Sequence, residues 1–293
     1  MISYAAQLGL RSQALRVHRE CSRVYREMNP AAAAGQVPRL RVDHYYPWLA
    51  VDDLPVEEST SRALAVGNVL LSDAAHCVLR ALRAGGVRAA EAEAVARREL
   101  TERALDCFDT LLGADADFLA GRDRFLNEQR VALSTELLLI AGGRLLSDAE
   151  AEVHATRKGA HLKITLLALG RLSGRAEKAR ILMLAQDHLS AALDLYRAFV
   201  NWRLELSQFP ANRVLMMLRS LGCDLADEGE LRRAIYDSGF SDQVFERIVL
   251  ACCLASSGNY ESRPFRQIIR WLIERVQRLQ ADLGSLRRGD GRR

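Results

Sequence analysis

Residues 59–86 read STSRALAVGNVLLSDAAHCVLRALRAGG. Apolar positions recur every three or four residues with no alternating run, and a glycine pair closes the segment, which is the pattern of a long core helix ending in a turn. The same reading extends outward in both directions. Upstream, residues 4–27 repeat the helical spacing until Ala31, Gly35 and Pro38 break it, and the aromatic, proline-containing stretch His44-Tyr45-Tyr46-Pro47-Trp48 reads as an ordered connection packed on the core. Downstream the breaks are short: Gly113, Gly142-Gly143, Ser173-Gly174, Pro210, Gly222, Ser238-Gly239 and Ser257-Gly258. Ser147, ahead of Asp148-Ala149-Glu150, and Ser241, ahead of the run to Ala255, are suited to cap the helices that follow them. Long helices with short loops pack antiparallel, so the expectation is an all-α, single-domain antiparallel bundle of about ten helices. That domain is expected over residues 1–285, with 286–293 as a disordered basic tail. The helix lengths are too unequal for a solenoid of fixed repeat.

Composition agrees with this fold class and narrows the function. Of 293 residues 27% are charged and only six are proline, and the chain is rich in Leu, Ala, Arg and Glu, which are strong helix formers. The net charge of +4 comes partly from the arginines at 287, 288, 292 and 293, so the body of the chain is close to neutral. Nucleic-acid binding would need a clustered basic stripe, usually with aromatics between, and none is present. The six cysteines, at 21, 77, 107, 223, 252 and 253, have no CxxC spacing and lie mostly in apolar helical runs, so they read as free core thiols. The N-terminus lacks the basic start of a signal peptide, and no apolar run reaches the ~20 residues of a membrane span, so a cytoplasmic chain is expected. GxSxG, P-loop, HExxH and Gly-rich dinucleotide motifs are all missing, which withdraws support from those enzyme classes.

Three segments taken together resemble the class I isoprenoid synthase superfamily, the group of polyprenyl synthases, terpene cyclases and squalene synthase-like proteins. The first, 59–86, is similar to the helix that carries that family's first aspartate-rich motif. The second, 157–174, RKGAHLKITLLALGRLSG, is similar to the helix that brings basic residues to the diphosphate. The third, 188–213, HLSAALDLYRAFVNWRLELSQFPANR, is similar to the helix of the second metal motif. In the family, Mg²⁺ held by carboxylates on facing helices neutralises the departing diphosphate. Here the positions corresponding to Asp-Asp-x-x-Asp are Arg80-Ala81-Leu82-Arg83-Ala84, and the second motif reads Arg197-Ala198-Phe199-Val200-Asn201, with Trp202 and Glu205 beyond it. Only Asn201 and Glu205 could touch a metal there, so no metal site and no cofactor is expected. The neighbouring acids are Asp73, three residues before His76 on one helix face, and Asp194, one turn before Arg197; each reads as a solvated or capped side chain, with Asp73–His76 as a metal-ligand pair, and Mg²⁺ as its ion, the alternative.

The leading acid pair is replaced by Arg-Ala in both motifs. Arginine binds phosphate bidentately without a metal, so the resemblance implies an anion or diphosphate site at Arg80, Arg83, Lys158 and Arg197, with Arg157 and Lys163 able to add to it. The alternative is that these cations are solvated or paired with acids such as Glu205. Three functions follow. The first is a non-catalytic isoprenoid synthase-like subunit that binds a prenyl diphosphate or prenyl chain, as a homodimer or beside an active synthase. The second is a terpene synthase or prenyltransferase that uses Arg and Lys in place of the metal cluster. The third is an unrelated helical scaffold. No catalytic residue is assigned under any of them.

Overall fold

The computed structural model describes residues 11–28, 53–140, 142, 145–206, 212–236, 239–258 and 262–287. Among the described residues there are eleven α-helices and no strand, as the helical spacing requires. They are α1 (Arg11–Met28), α2 (Glu58–Ala96), α3 (Arg98–Leu112), α4 (Ala116–Ile140), α5 (Asp148–Lys158), α6 (Ala160–Leu172), α7 (Ala176–Asn201), α8 (Arg213–Ser220), α9 (Glu228–Tyr236), α10 (Phe240–Ser256) and α11 (Arg263–Arg287). The breaks at 31–38, the 44–48 connection, Gly143, Pro210, Ser238 and the tail from 288 lie outside the described residues. Helix α11 runs two residues into the stretch expected as tail, and the Arg287 guanidinium donates to the Tyr236 carbonyl at 2.6 Å and pairs with Asp242 at 2.6 Å.

Most glycine breaks fall at helix ends, and two positions depart from expectation. The Gly85-Gly86 pair does not end its helix. Only Gly86 leaves helical geometry, at φ 72°, and the helix resumes through Ala96. Gly159 was expected inside one continuous segment, yet it separates α5 from α6. The Ser147 cap is formed as a full capping box: its hydroxyl accepts from the Glu150 amide, and Glu150 accepts from the Ser147 amide at 2.9 Å. Ser241 does not cap. Gly239 holds that position at φ 80°, and the Ser241 hydroxyl instead accepts from Arg287 at 2.6 Å.

One domain was expected over 1–285, and the chain divides into two compact units. The first comprises 1–130, 160–183 and 260–265; the second comprises 131–159, 184–259 and 266–293. The divisions at 130/131, 183/184 and 265/266 fall inside α4, α7 and α11 rather than in loops, so no linker composition marks them.

In the first unit α2 packs on α1, α3 and α6. Gly67 permits the approach of α3, because a Cβ there would lie 2.8 Å from the Phe108 ring and 2.9 Å from the Ala104 carbonyl oxygen. Leu64, Leu70, Leu100, Phe108, Phe118 and Ile164 are fully buried, and the Phe108 and Phe118 rings stack at 6.4 Å. The Glu58–Leu82 part of α2 is long and apolar enough to cross a membrane by length and composition, and 61% of its most apolar window is buried within the protein.

In the second unit the core gathers around Phe199 and Phe245, whose rings meet edge to face at 4.8 Å. Tyr196 meets Trp271 in the same way at 5.8 Å, and the Trp202 indole N–H donates to the Tyr236 hydroxyl at 2.9 Å. Leu215, Leu231, Ile248, Leu272 and Val276 complete the interior.

Candidate functional site

The second unit buries a cluster of charges. The capping box starts α5 at Asp148, and one turn apart on that helix stand His154 and Lys158, whose i, i+4 spacing puts them on one face. Gly159 closes the helix against α7: a Cβ there would come 2.7 Å from the Ser190 hydroxyl, which would have to move aside. Ser190 accepts from the Gln186 side-chain amide at 2.8 Å. Gln186, Ser190 and Asp194 thus form a polar ridge of i, i+4 steps on α7, and Asp194 is its member at Lys158. Helix α4 adds Glu136, which is fully buried, and α8 adds Arg213, buried at its first position. The Asn212 cap positions that helix. Its side-chain oxygen accepts from the Leu215 amide at 3.0 Å, and its side-chain nitrogen donates to the Ala198 carbonyl at 3.0 Å and to Glu205 at 2.9 Å.

A single oxygen is the hub of the cluster. Glu136 Oε1 lies 3.2 Å from His154 Nε2 and 3.2 Å from Lys158 Nζ. A carboxylate only accepts, so the His154 proton sits on Nε2. Lys158 Nζ also reaches Asp194 Oδ1 at 2.9 Å. The ammonium is therefore shared by two carboxylates from two helices. Burial works against ionisation of Asp194, and the attraction and hydrogen bond of Lys158 outweigh it, with Arg213 and His154 adding to the effect, so this carboxyl titrates below the ordinary aspartate range. Arg213 is the least well matched member: its Nη2 is 3.9 Å from Glu152, and its buried Nε has no hydrogen-bond partner among the described residues. His154 Nδ1 is likewise buried without one. Arg247 holds Asp148 at 2.8 Å and keeps that carboxyl below its usual range.

No family model matches the chain, and no curated protein or solved structure matches it.

Of the sequence-predicted cations, Lys158 lies in this cluster. Lys158 bonds Asp194, and Arg197, exposed to solvent, follows Asp194 by one turn on the same helix. Asn201 ends α7, and its carbonyl accepts from the Glu205 amide at 2.9 Å, while the Glu205 carboxylate is engaged by Asn212. Arg80 and Arg83 stand on α2 in the first unit. Arg80 is exposed, with its guanidinium 3.9 Å from the Cys77 sulfur, and the Arg83 side chain lies outside the described residues. Lys163, also in the first unit, is buried, pairs with Glu128 at 3.2 Å and lies 5.2 Å over the Phe125 ring.

The Asp73–His76 pair serves other ends. Asp73 is partly buried and accepts from the Tyr25 hydroxyl and, at 3.8 Å, from the Cys77 thiol, whereas His76 Nδ1 lies 2.7 Å from the Ser72 carbonyl oxygen. Burial, with Asp73 adding, raises both Tyr25 and Cys77 above their ordinary values, so both keep their protons near neutral pH. All six cysteines are free. Cys253 is exposed, and burial lifts Cys107 to about 11. Mg²⁺ would need several oxygen ligands together, and among the described residues no three His, Cys, Asp or Glu side chains are grouped to hold a metal ion.

Glu136, His154 and Arg213 were not foreseen. Glu136 left one signal: it is the single charge in the apolar run 131–140, VALSTELLLI, where an acid must find an internal cation. The His154/Lys158 spacing was the matching signal on α5.

Proposed function

We propose that this chain is a non-catalytic, isoprenoid synthase-like helical protein that binds a prenyl diphosphate or a related anion, either by itself or beside an active synthase. The observation that carries the reading is the placement of Lys158 against Asp194, one turn before Arg197. Lys158 of α5 bonds Asp194 of α7, and Arg197, three residues further along α7, is exposed to solvent, which supports the reading. Acids that could have served a metal are committed elsewhere. Asp194 and Glu136 share Lys158, Glu205 accepts from Asn212, and Asp73 accepts from Tyr25. A basic anion seat without a metal cluster can hold a diphosphate by charge and hydrogen bonding, while lacking the charge neutralisation that ionisation of the prenyl C–O bond requires.

A scaffold function is the second reading, and it rests on the same lysine. Lys158 already has two internal carboxylates, so it could serve stability alone. Calorimetric titration with inorganic pyrophosphate and with farnesyl diphosphate separates the two. Under the binding reading both produce heat, and Arg197→Ala weakens both by about tenfold, the loss of one charge-assisted contact. Absence of binding by the folded wild-type chain leaves the scaffold.

A further inference from the structure

Helix α11 carries an uncovered charged face in the second unit. Arg270, Glu274 and Arg278 stand one turn apart along it, and Trp271 and Arg275 form the row beside them, so together they occupy one face over about 12 Å of helix. Arg270, Glu274, Arg275 and Arg278 are exposed, and Trp271 is half-buried. Elsewhere the same four-residue spacing closes ion pairs: Arg23 holds Glu27 at 2.7 Å, Arg97 holds Glu93 at 2.7 Å and Arg98 holds Glu102 at 3.0 Å. Glu274 has an arginine four residues away on either side and pairs with neither among the described residues. The Arg275 guanidinium lies 5.8 Å over the Trp271 ring, which meets the half-buried Tyr196 of α7 edge to face at 5.8 Å. Three guanidiniums and one carboxylate thus surround an aromatic pair at the surface, and Trp, Tyr and Arg are the residues that anchor protein interfaces.

From this arrangement we infer that the α11 face is a docking surface for an acidic segment of another protein. Carboxylates at turn spacing meet Arg270, Arg275 and Arg278, and an apolar side chain between them covers Trp271 and Tyr196. Charge complementarity selects this partner. Three arginines against one glutamate call for net negative charge. A nucleic acid or an anionic membrane is negative throughout and sets a phosphate against Glu274, whereas a protein segment places a lysine there. A second copy of this chain would bring arginines against arginines. The surface uses none of Lys158, Asp194 and Arg197, so it stands independently of the anion seat.

The test challenges the immobilised full chain with a displayed library of helical peptides of unbiased composition. Recovered peptides are synthesised and titrated by fluorescence anisotropy against wild type, Arg275→Glu and the double variant Arg270→Glu/Arg278→Glu, with the urea midpoint of each variant checking that it folds. The docking surface predicts peptides with Asp or Glu three or four residues apart around an apolar anchor. Their binding weakens about tenfold or more in both variants and falls as salt rises. A peptide with Lys in place of one acid regains affinity for a charge-reversed chain, which a merely structural role of these arginines would not produce. Recovery of no peptide, of peptides without acidic bias, or of peptides indifferent to the reversals overturns the inference. Duplex DNA and phosphatidylserine vesicles are titrated alongside. Tighter binding of either to the wild type, lost in the variants, assigns the face to a polyanion and overturns the protein partner.

Discussion

The two units differ in where they keep their charges. In the first, ion pairs lie mostly at the rim. Arg16–Glu58 and Arg62–Glu20 join α1 to α2, Arg98–Glu102 lies along α3, and the interior is built from Leu, Ile and stacked Phe. Even its deep ammonium, Lys163, leads out to a carboxylate that is 29% exposed. The second unit instead takes Glu136 and His154 out of water and sets them against each other and Lys158, and it buries Arg213 with Glu152 at 3.9 Å. Rim pairs are screened and contribute roughly 0–1 kcal/mol each, whereas breaking a buried pair leaves an uncompensated charge and costs about 3–5 kcal/mol. A protein can keep such an arrangement for reasons other than stability, since apolar residues of similar volume are often as stable or more so.

The sharpest way to break this contrast is Glu136→Ala. It removes the hub oxygen while His154 and Lys158 remain, and a loss of about 3 kcal/mol in urea unfolding is expected. A loss near that of a rim residue would mean that the cluster is not the electrostatic centre of its unit. Asp194→Asn comes next, at about 2 kcal/mol near pH 7. Its effect has a sign in pH. The Asp194 carboxyl is held low in the folded state, so its stabilisation is present above the unfolded aspartate value of about 4 and disappears as pH falls through the folded value. Urea midpoints of wild type and Asp194→Asn should therefore converge between about pH 5 and about pH 2, and a gap that widens toward acid would contradict the assignment.

Gly159→Ala tests the close approach of α5 to α7 and should cost about 1–3 kcal/mol, because the new methyl meets the Ser190 hydroxyl. Adding Ser190→Ala should recover part of that loss, since the next contact, the Ser190 Cβ, stands at 3.5 Å. An additive double-mutant cycle would place the strain elsewhere. The smallest effect belongs to the first unit: Arg16→Ala removes an exposed pair with Glu58 and should shift the thermal midpoint by only a degree or two, a shift that shrinks further with salt.

The helical class was legible because Leu- and Ala-rich spacing of three and four persists through segments such as 59–86, and the caps follow local rules, as Ser147 and Glu150 do. The two-unit division was not legible, since three of its boundaries fall within α4, α7 and α11, where composition does not change. Gly159 reads like any tolerated helical glycine until Ser190 is beside it, and Ser241 reads like a cap until Gly239 takes that place and Arg287 takes the hydroxyl. Of the charge cluster, Lys158 alone had been singled out, by its place in the basic segment 157–174. Glu136, His154 and Arg213 become meaningful only through contacts across 18 positions or more, which no local pattern encodes.

The binding account is tested most directly by incubating the full chain with farnesyl and geranylgeranyl diphosphates, with and without Mg²⁺, while following pyrophosphate release and diphosphate retention on the protein. A non-catalytic binder retains each diphosphate and returns it intact under both conditions. Release of pyrophosphate above the uncatalysed rate, and its loss in Arg197→Ala, would contradict the account and make the chain an enzyme.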